Sequence, residues 1–252
     1  MVILKSHEEI ERMRESNVIV GDILSGLKDL VQPGVKTLEL DAYAEAETIR
    51  RKAVPAFKGY RNFPYTLCVS LNSEVVHGFP SKRVLSEGDI VSIDFGVLYK
   101  GYYGDSAATF AVGAVSSEAT RLMQVTRKAL YRGIENALPG KRLGDISSAI
   151  QTTAETEGYG IVRDFVGHGI GTALHEDPQV PNYGRKGRGI ELKPGLVIAI
   201  EPMVNEGTYE VRIQPDGWTV VTKDGRRSAH FEHTVAITDN GPIILSKTAL
   251  SH

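Results

Sequence analysis

Two aspartates flank a turn in the segment SIDFGVLYKGYYGDSAATF, and their spacing predicts a pair of neighbouring carboxylates. The segment has a strand–turn–strand pattern, and a two-residue loop at Tyr99-Lys100 would place Asp94 directly opposite Asp105, with Cβ atoms about 5 Å apart. Facing carboxylates repel each other, and burial makes their charge more costly. A shared proton, an arginine or a metal ion would relieve that cost. A simpler alternative makes one aspartate a turn residue and the other a surface group.

Two glutamates interrupt apolar, strand-like segments later in the chain. Glu201 lies in LVIAIEPMV and Glu232 in HFEHTVAI. An acid in a core strand is rare unless it is paired or binds a metal. Glu232 alone is also explained by an ion pair with His230 or His233. Four acids in β-rich segments favour ions that prefer oxygen ligands, such as Mn, Mg or Fe(II), and two ions balance four charges better than one.

Histidines beside glycines and turn residues are the candidate nitrogen ligands. His168 lies in GHGIG, where glycines allow a ligand to approach the backbone, but the spacing is not that of a dinucleotide-binding loop. His77 in VVHGFP and His175 in LHEDP are equally compatible with surface histidines. The chain contains neither HExxH nor GxSxG, and Cys68 is more typical of a core or pocket residue than of a nucleophile.

Four helices and many short strands are predicted to position these residues. Ser6 and Glu9 form a capping-box pattern, followed by apolar residues at helical spacing up to Pro33-Gly34. Further helices are predicted at 37–52, 117–138 and 143–157. Short β-rich runs at 66–76 and 90–112, and a strand-rich remainder, supply the sheets.

The two halves of the chain share a pattern that favours an internal duplication. Pro-Gly pairs between helices can recur by chance, but matching carboxylates at nearly the same offset make chance a poorer explanation. The prolines Pro33 and Pro139 are 106 residues apart, and two further pairs, Gly88 with Gly195 and Asp94 with Glu201, are each 107 residues apart.

Composition excludes several classes of protein. The 252 residues carry a net charge of −2, and the basic clusters are too short for a nucleic-acid-binding face. The one cysteine allows no internal disulfide. No signal peptide or membrane span is visible, so a cytoplasmic protein is expected.

Taken as a set, the motifs resemble those of type I methionine aminopeptidases of the short, bacterial kind. The resemblance extends from the first helix to the last strand. It implies an α+β pita-bread fold, in which helices flank a central antiparallel sheet. A pseudo-two-fold axis would relate the two halves of the chain. One catalytic domain would cover 1–252, with repeats at roughly 1–112 and 113–252. The matching motifs are Cys68-Val-Ser-Leu-Asn72, Val-Val-His77-Gly, Asp94, Gly-Asp105, Gly-His168-Gly-Ile-Gly, His175-Glu-Asp-Pro, Ile-Glu201-Pro-Met and His-Phe-Glu232-His-Thr.

The resemblance implies a site for two divalent ions, with Co, Mn, Fe, Zn and Ni all compatible. Asp94 would be a bidentate ligand of one ion and Asp105 and Glu232 would bridge both. His168 and Glu201 would bind the other ion. Asn72 and Ser228 are similar to positions near a monovalent-cation site.

The same resemblance implies cleavage of the N-terminal methionine from nascent proteins with a small second residue, by attack of a metal-bridging hydroxide. Glu201 would accept and return the proton, His175 would stabilise the oxyanion, and His77 would contact the scissile amide. A monomer with transient ribosome association is implied. The methionine pocket would be lined by Tyr60, Phe63, Cys68, Trp218 and Phe231, and Phe57 occupies a place where some members carry a second cysteine.

Two rival functions remain at this point. A proline-specific peptidase or creatinase-like hydrolase shares the fold but usually carries a large additional N-terminal domain. A binding protein that has lost catalysis would normally have lost metal ligands, whereas all five candidates are retained.

Overall fold

The computed structural model describes residues 2–247, in which four helices combine with fifteen short strands. No helix within 2–247 is long and apolar enough to cross a membrane. The helices are α1 (His7–Leu30), α2 (Thr37–Arg50), α3 (Ser117–Ile134) and α4 (Leu143–Thr156). The strands are β1 (Val54–Pro55), β2 (Leu67–Leu71), β3 (Glu74–Val76), β4 (Ile90–Tyr99), β5 (Tyr102–Ala111), β6 (Gly160–Ile161), β7 (Gly167–Gly169), β8 (Glu176–Val180), β9 (Val197–Ile200), β10 (Met203–Asn205), β11 (Val211–Ile213), β12 (Val220–Thr222), β13 (Ser228–His230), β14 (His233–Thr238) and β15 (Gly241–Ile244).

The helix ends follow local chemistry. The capping box of α1 is confirmed: the Glu9 N–H donates to Ser6 Oγ, and the Glu9 carboxylate accepts the Ser6 N–H at 2.8 Å. The predicted helix 117–138 is four residues too long, because α3 ends at Ile134 and a tight turn follows, in which the Ala137 N–H donates to the Ile134 carbonyl. Pro139 disfavours helical conformation in the residue before it, so the helix cannot run up to the Pro-Gly pair.

Two antiparallel sheets form the centre of the molecule. In the first, β4 pairs with β5 along one edge and with β1 and β2 along the other. The second has the order β15-β14-β9-β7-β8. The sheets meet where β5 lies beside β14: the Glu232 N–H donates to the Ala107 carbonyl, and Thr234 Oγ1 donates to the Asp105 carbonyl. This seam between the halves brings their acidic residues together.

Two smaller three-stranded sheets complete the fold, with the orders β13-β10-β6 and β11-β12-β3. In the second of them, Val220 of β12 pairs with Val76 of β3. The segment between β9 and β14 is thereby attached to the first half of the chain, next to His77.

The expected duplication is confirmed by contacts that recur in both halves. The Gly34 N–H donates to the Leu85 carbonyl at 2.8 Å, and the Gly140 N–H donates to the Leu192 carbonyl at 2.9 Å. Gly34 and Gly140 both have positive φ, which explains why glycine occupies each position. An isolated β-bridge also recurs at the start of α2 and of α4, as Lys36 with Val84 and as Arg142 with Glu191.

Each half has its own apolar core. Ile93 and Phe95 of β4 belong to the first core, and Ile198 of β9 belongs to the second. Because side chains alternate along a strand, Asp94 between Ile93 and Phe95 must lie on the opposite face. The apolar cores therefore fix which face of each sheet is left for polar residues.

Candidate metal centre

The β4–β5 turn lies one residue later than the sequence predicted. Tyr99 pairs with Tyr102, so the two-residue loop is Lys100-Gly101 and not Tyr99-Lys100. Both loop residues have positive φ, 49° and 84°, as a type I′ turn requires. Only the later register gives the second of these positions to a glycine, which adopts it without strain.

The shifted turn changes the relation between the two aspartates. Asp94 lies opposite Ala107, and Asp105 lies opposite Gly96. The predicted direct pairing is therefore wrong, but a shift of two positions in the pairing leaves both carboxylates on the same face as diagonal neighbours. That arrangement separates the two charges and leaves space for a ligand between them.

Three further donors reach the same place from the second half. His168 belongs to β7, Glu201 follows β9, and Glu232 lies between β13 and β14. His168 Nε2 is 3.8 Å from Asp105 Oδ2 and 3.7 Å from Glu201 Oε1. One ligand atom each from Asp105, His168 and Glu232 lies within 4.8 Å of the others. Asp94 and Glu201 line the same cavity, so the structure brings all five predicted ligands together.

The hydrogen bonds of His168 show which of its nitrogens is free. Nδ1 lies 2.9 Å from the Gly169 carbonyl, and because a carbonyl can only accept, Nδ1 must carry the proton. Nε2 then points a lone pair at two carboxylates. Burial lowers the pKa of His168 to about 4, so the ring is neutral near pH 7. A histidine fixed in this way by a backbone carbonyl is the usual arrangement for a metal ligand.

Burial and the neighbouring carboxyls disfavour the charged form of the four acidic side chains. Burial raises the pKa of Asp94 to about 7 and that of Glu201 to about 8. Burial and then the neighbouring carboxyls raise the pKa of Asp105 and of Glu232 well above their usual values. One oxygen of Asp94, of Asp105 and of Glu232 is buried without a hydrogen-bond partner. Four buried carboxyls, three of them with an unpartnered oxygen, and one imidazole form a donor set that fits divalent transition-metal ions.

His77 and His175 stand at the entrance to the cluster. His175 Nδ1 lies 2.9 Å from the Tyr60 hydroxyl, and the rings of His175 and His168 are 4.2 Å apart. His77 has a positive φ of 59°, and its ring is 5.5 Å from Phe165. Burial lowers the pKa of His77 to about 4. Burial, His168 and Arg61 together lower that of His175, so neither histidine carries charge near neutral pH.

His230 is a buried neighbour of the cluster that the sequence had not placed there. Its Nε2 is 3.5 Å from Glu201 Oε2, is fully buried and has no hydrogen-bond partner. The sequence had suggested His230 only as a possible ion-pair partner of Glu232. His233 faces elsewhere, with Nδ1 2.9 Å from Ser246 Oγ. The HFEH motif contained the relevant pattern. Its two histidines belong to different strands, because β13 ends at His230 and β14 begins at His233, and only His230 lies at the site.

A cavity of about 370 Å³ opens above the acidic cluster. Four of the predicted pocket residues line it, namely Tyr60, Phe63, Cys68 and Trp218, together with Phe57, His77 and His175. Phe63 forms edge-to-face contacts with Trp218 (centroids 5.1 Å apart) and with Phe79 (5.4 Å). Leu174, Phe165 and Met203 also line the cavity and could not be assigned from sequence spacing. The wall is thus largely apolar, while the floor is acidic.

Phe231 does not line this cavity, and its predicted place there is wrong. It lines a larger cavity of about 880 Å³ together with Met123 and Leu130 of α3. Neighbouring residues of an extended chain point to opposite sides, so Phe231 and the inward-facing Glu232 cannot share a face.

The residues expected near a monovalent cation are neighbours. The Ser228 N–H donates to the Asn72 carbonyl at 2.8 Å, and Asn72 Nδ2 donates to Asp89 Oδ1. Asn72 has a positive φ of 52°, which turns its carbonyl towards Ser228.

Comparison with known proteins places this geometry in one family. The model of metallopeptidase family M24 matches residues 11–239. The methionine aminopeptidase of Clostridium acetobutylicum is 55% identical over 247 residues, covering 98% of this chain and 99% of the relative. Methionine aminopeptidase 1 of Bacillus subtilis is 51% identical over 98% of this chain and 100% of the relative.

Solved structures agree with the sequence relatives. The crystal structure of methionine aminopeptidase from Thermotoga maritima has a TM-score of 0.96 and 47% identity, covering 98% of this chain and all of the other. The prolidase from Pyrococcus furiosus has a TM-score of 0.80 and 27% identity, and only 66% of its chain is covered. The TM-score and the identity are both lower for the prolidase than for the methionine aminopeptidase, which weakens the first rival function.

Proposed function

The chain belongs to metallopeptidase family M24, and on that premise we propose that it removes the N-terminal methionine from peptides and proteins. Its activity is that of a methionyl aminopeptidase, with a preference for a small second residue. The observation that carries the proposal is the five-donor cluster at the floor of an apolar-walled cavity of about 370 Å³. Such a cavity accepts one unbranched apolar side chain and presents the adjoining amide to the cluster.

Two divalent ions are the proposed cofactors. Asp94, Asp105, His168, Glu201 and Glu232 would hold them, with Asp105 and Glu232 shared between the ions. Four buried carboxylates exceed the charge of one divalent ion, whereas two ions neutralise them. When bound, the ions lower the pKa of water and polarise the scissile carbonyl.

The protein's own residues then move protons and stabilise charge. Glu201, which lines the cavity beside the other four donors, would accept a proton from water and return it to the leaving amine. His175 would donate a hydrogen bond from Nε2 to the developing oxyanion. For that purpose Nδ1 must be unprotonated and accept a hydrogen bond, and the Tyr60 hydroxyl 2.9 Å away is the donor that fixes this tautomer. His77 would hydrogen-bond to the scissile amide.

The methionine side chain would pack against Tyr60, Phe63, Cys68 and Trp218. Sulfur makes favourable contacts with aromatic rings, which suits a pocket built from edge-to-face aromatic pairs. We also propose one catalytic domain at 1–252 with repeats at roughly 1–112 and 113–252, a cytoplasmic monomer, and a monovalent cation held beside Asn72 and Ser228.

An assay on short peptides tests the proposal. The purified protein is stripped with a chelator, reloaded with Co, Mn, Fe, Zn or Ni, and offered Met-Ala-Ser, Met-Leu-Ser and Ala-Pro-Ser. Release of methionine from Met-Ala-Ser, with little from Met-Leu-Ser, is expected. Cleavage of Ala-Pro-Ser alone would assign the protein to the proline-specific branch.

A pair of matched variants connects the activity to the cluster. Asp105→Asn should abolish turnover and reduce the metal content measured by mass spectrometry. Asp22→Asn changes an exposed acid paired with Arg51, and should leave both unchanged. Equal metal content in the two variants would contradict the proposed ligand set.

A further inference from the structure

The segment before α1 inverts the usual burial of its side chains. Ile3 and Leu4 are 53% and 47% exposed, whereas Lys5 is only 6% exposed. Lysine is almost never buried unless it is paired, and aliphatic residues normally take the interior position. The chain therefore places its cation inward at this point for a specific partner.

The partner of Lys5 is Glu176. Lys5 Nζ lies 2.5 Å from Glu176 Oε2, and the two side chains are 3% and 8% exposed. A second donation from Nζ goes to the Ile3 carbonyl at 3.1 Å. The backbone of Lys5 is held as well, because its N–H donates to the Gly195 carbonyl at 2.7 Å. The ion pair is buried and fixed at both ends.

Glu176 joins this ion pair to the loop that carries His175. It directly follows His175 in the chain, and its other oxygen, Oε1, accepts the Ala173 N–H at 3.1 Å. A Cβ at Gly171 would lie 2.6 Å from Glu176 Oε1 and 2.6 Å from Lys5 Cε, so the loop backbone packs directly on the pair. Residues 171–176 are thus tied to the N-terminal segment by one charged contact.

A buried ion pair is a poor source of stability, because the desolvation of two charges offsets most of their attraction. Hydrophobic residues of similar size would serve packing equally well. What the pair supplies is a fixed position for the loop, since breaking it leaves an uncompensated charge in the interior. His175 itself is exposed to the cavity, and its Nδ1 is hydrogen-bonded to the Tyr60 hydroxyl.

We propose that Lys5 is a positioning residue for catalysis: through Glu176 it holds the His175 loop so that the imidazole meets the scissile carbonyl. The inference rests on the proposed aminopeptidase function. It extends the active site to a residue of the segment before α1, which is far from His175 in the sequence.

The main test is the Lys5→Met variant, which keeps an unbranched side chain one atom shorter and removes its charge. With Met-Ala-Ser as substrate, kcat should fall at least 10-fold while KM changes less than threefold, because a displaced His175 weakens transition-state contacts more than ground-state binding. Metal content should stay at the wild-type value. Lys100→Met is the matched control, since it breaks the exposed pair with Glu15 and should leave kcat unchanged.

A double variant separates positioning from general damage. In a His175→Ala background, Lys5→Met should lower kcat less than twofold further, because the residue that it positions is already absent. Histidine-ring NMR of the chelated protein gives an independent readout: Lys5→Met should shift the His175 ring signals, identified by their loss in His175→Ala.

Several results would overturn the inference. A kcat of Lys5→Met within twofold of wild type would do so, as would an equally large loss in the His175→Ala background. If Lys5→Met does not fold, Glu176→Gln takes its place, because it retains an oxygen for Ala173 and loses only the charge. A wild-type protein inactive on Met-Ala-Ser with every metal would instead reject the proposed function, and unchanged His175 ring signals in the chelated variant would reject the positioning role separately.

Discussion

Once its divalent ions have been removed, the protein should lose free energy of unfolding as the pH rises from 7 to 8. Burial raises the pKa of Glu201 to about 8 and keeps those of Asp105 and Glu232 well above their usual values, whereas the same groups in the unfolded chain titrate near 4. The folded, metal-free protein therefore binds more protons than the unfolded chain. Under that condition the free energy of unfolding falls with rising pH.

The size of this effect follows from the number of protons retained. Each carboxyl that stays protonated in the folded state lowers the free energy of unfolding by about 1.4 kcal/mol per pH unit. Between pH 7 and 8 one such group gives a fall of about 1.4 kcal/mol, and two give about 3 kcal/mol. The interval lies above the usual histidine pKa, so the buried histidines, with pKa lowered to about 4 for His77 and His168, offset only a minor part of this fall. Below pH 6.5 the histidines act in the opposite direction, since the unfolded chain binds more of their protons.

Urea unfolding followed by the fluorescence of Trp218 provides the measurement, with a chelator and with saturating Mn. The chelated protein should lose stability between pH 7 and 8, while the metal-loaded protein, with its carboxylates neutralised by ions, should not. Chelated Asp105→Asn has one fewer carboxyl to titrate, so its loss should be smaller by about 1.4 kcal/mol. If the free energy of unfolding had the same pH dependence with and without metal, the buried carboxyls of the cluster would not be the groups that destabilise the metal-free protein.

Three further predictions concern turnover and packing. His175→Ala should lower kcat about 100-fold or more with little change in KM in steady-state assays on Met-Ala-Ser, because it removes an oxyanion donor; an effect confined to KM would indicate substrate binding alone. Tyr60→Phe should lower kcat about 3- to 10-fold by freeing the His175 tautomer, and an unchanged kcat would exclude that role. Leu174→Ala, at a fully packed cavity wall, should lower the free energy of unfolding by about 2 to 5 kcal/mol in urea titrations, whereas a loss below about 1 kcal/mol would show that the wall is not tightly packed.

The sequence predicted those features of the fold that depend on local chemistry or on a repeated pattern. The capping box at Ser6, the Pro-Gly boundaries and the recurrence of Asp94 at Glu201 all follow from patterns within one element or from a fixed offset. The two matching carboxylates were enough to place the metal cluster at a junction between halves. The residues alone therefore predicted an acidic site shared between the halves, whereas the pita-bread fold and His168 as a ligand came from the family resemblance.

The errors arose where one residue decides a register or a face. A one-residue shift of the β4–β5 turn, set by the need for Gly101 at positive φ, moved Asp94 from opposite Asp105 to a diagonal position. Phe231 was assigned to the pocket from the family resemblance, whereas in the structure it lines the larger cavity beside α3. His230 and Lys5 depend on contacts between residues far apart in sequence, which no local pattern records.

The way in which the two repeats differ explains how one fold acquires both a metal site and a substrate pocket. In the first repeat, β4 and β5 are joined by the two residues Lys100-Gly101; in the second, the equivalent strands β9 and β14 are separated by residues 201–232. The strands pair antiparallel in both repeats, with Ile93 opposite Ala108 in the first and Ile200 opposite His233 in the second.

The metal cluster is therefore built from the positions that the repeats share, while the pocket draws on the segment that only the second repeat contains. Met203 and Trp218 come from that segment and line the cavity, and Val220 anchors it to β3 beside His77. Substitutions within 201–232, other than at Glu201 and Glu232, should alter which N-terminal side chain of the substrate is accepted. They should not alter the metal content. Replacing Trp218 by Ala, and measuring both methionine release and bound metal, distinguishes this division of roles from a site in which pocket and cluster depend on each other.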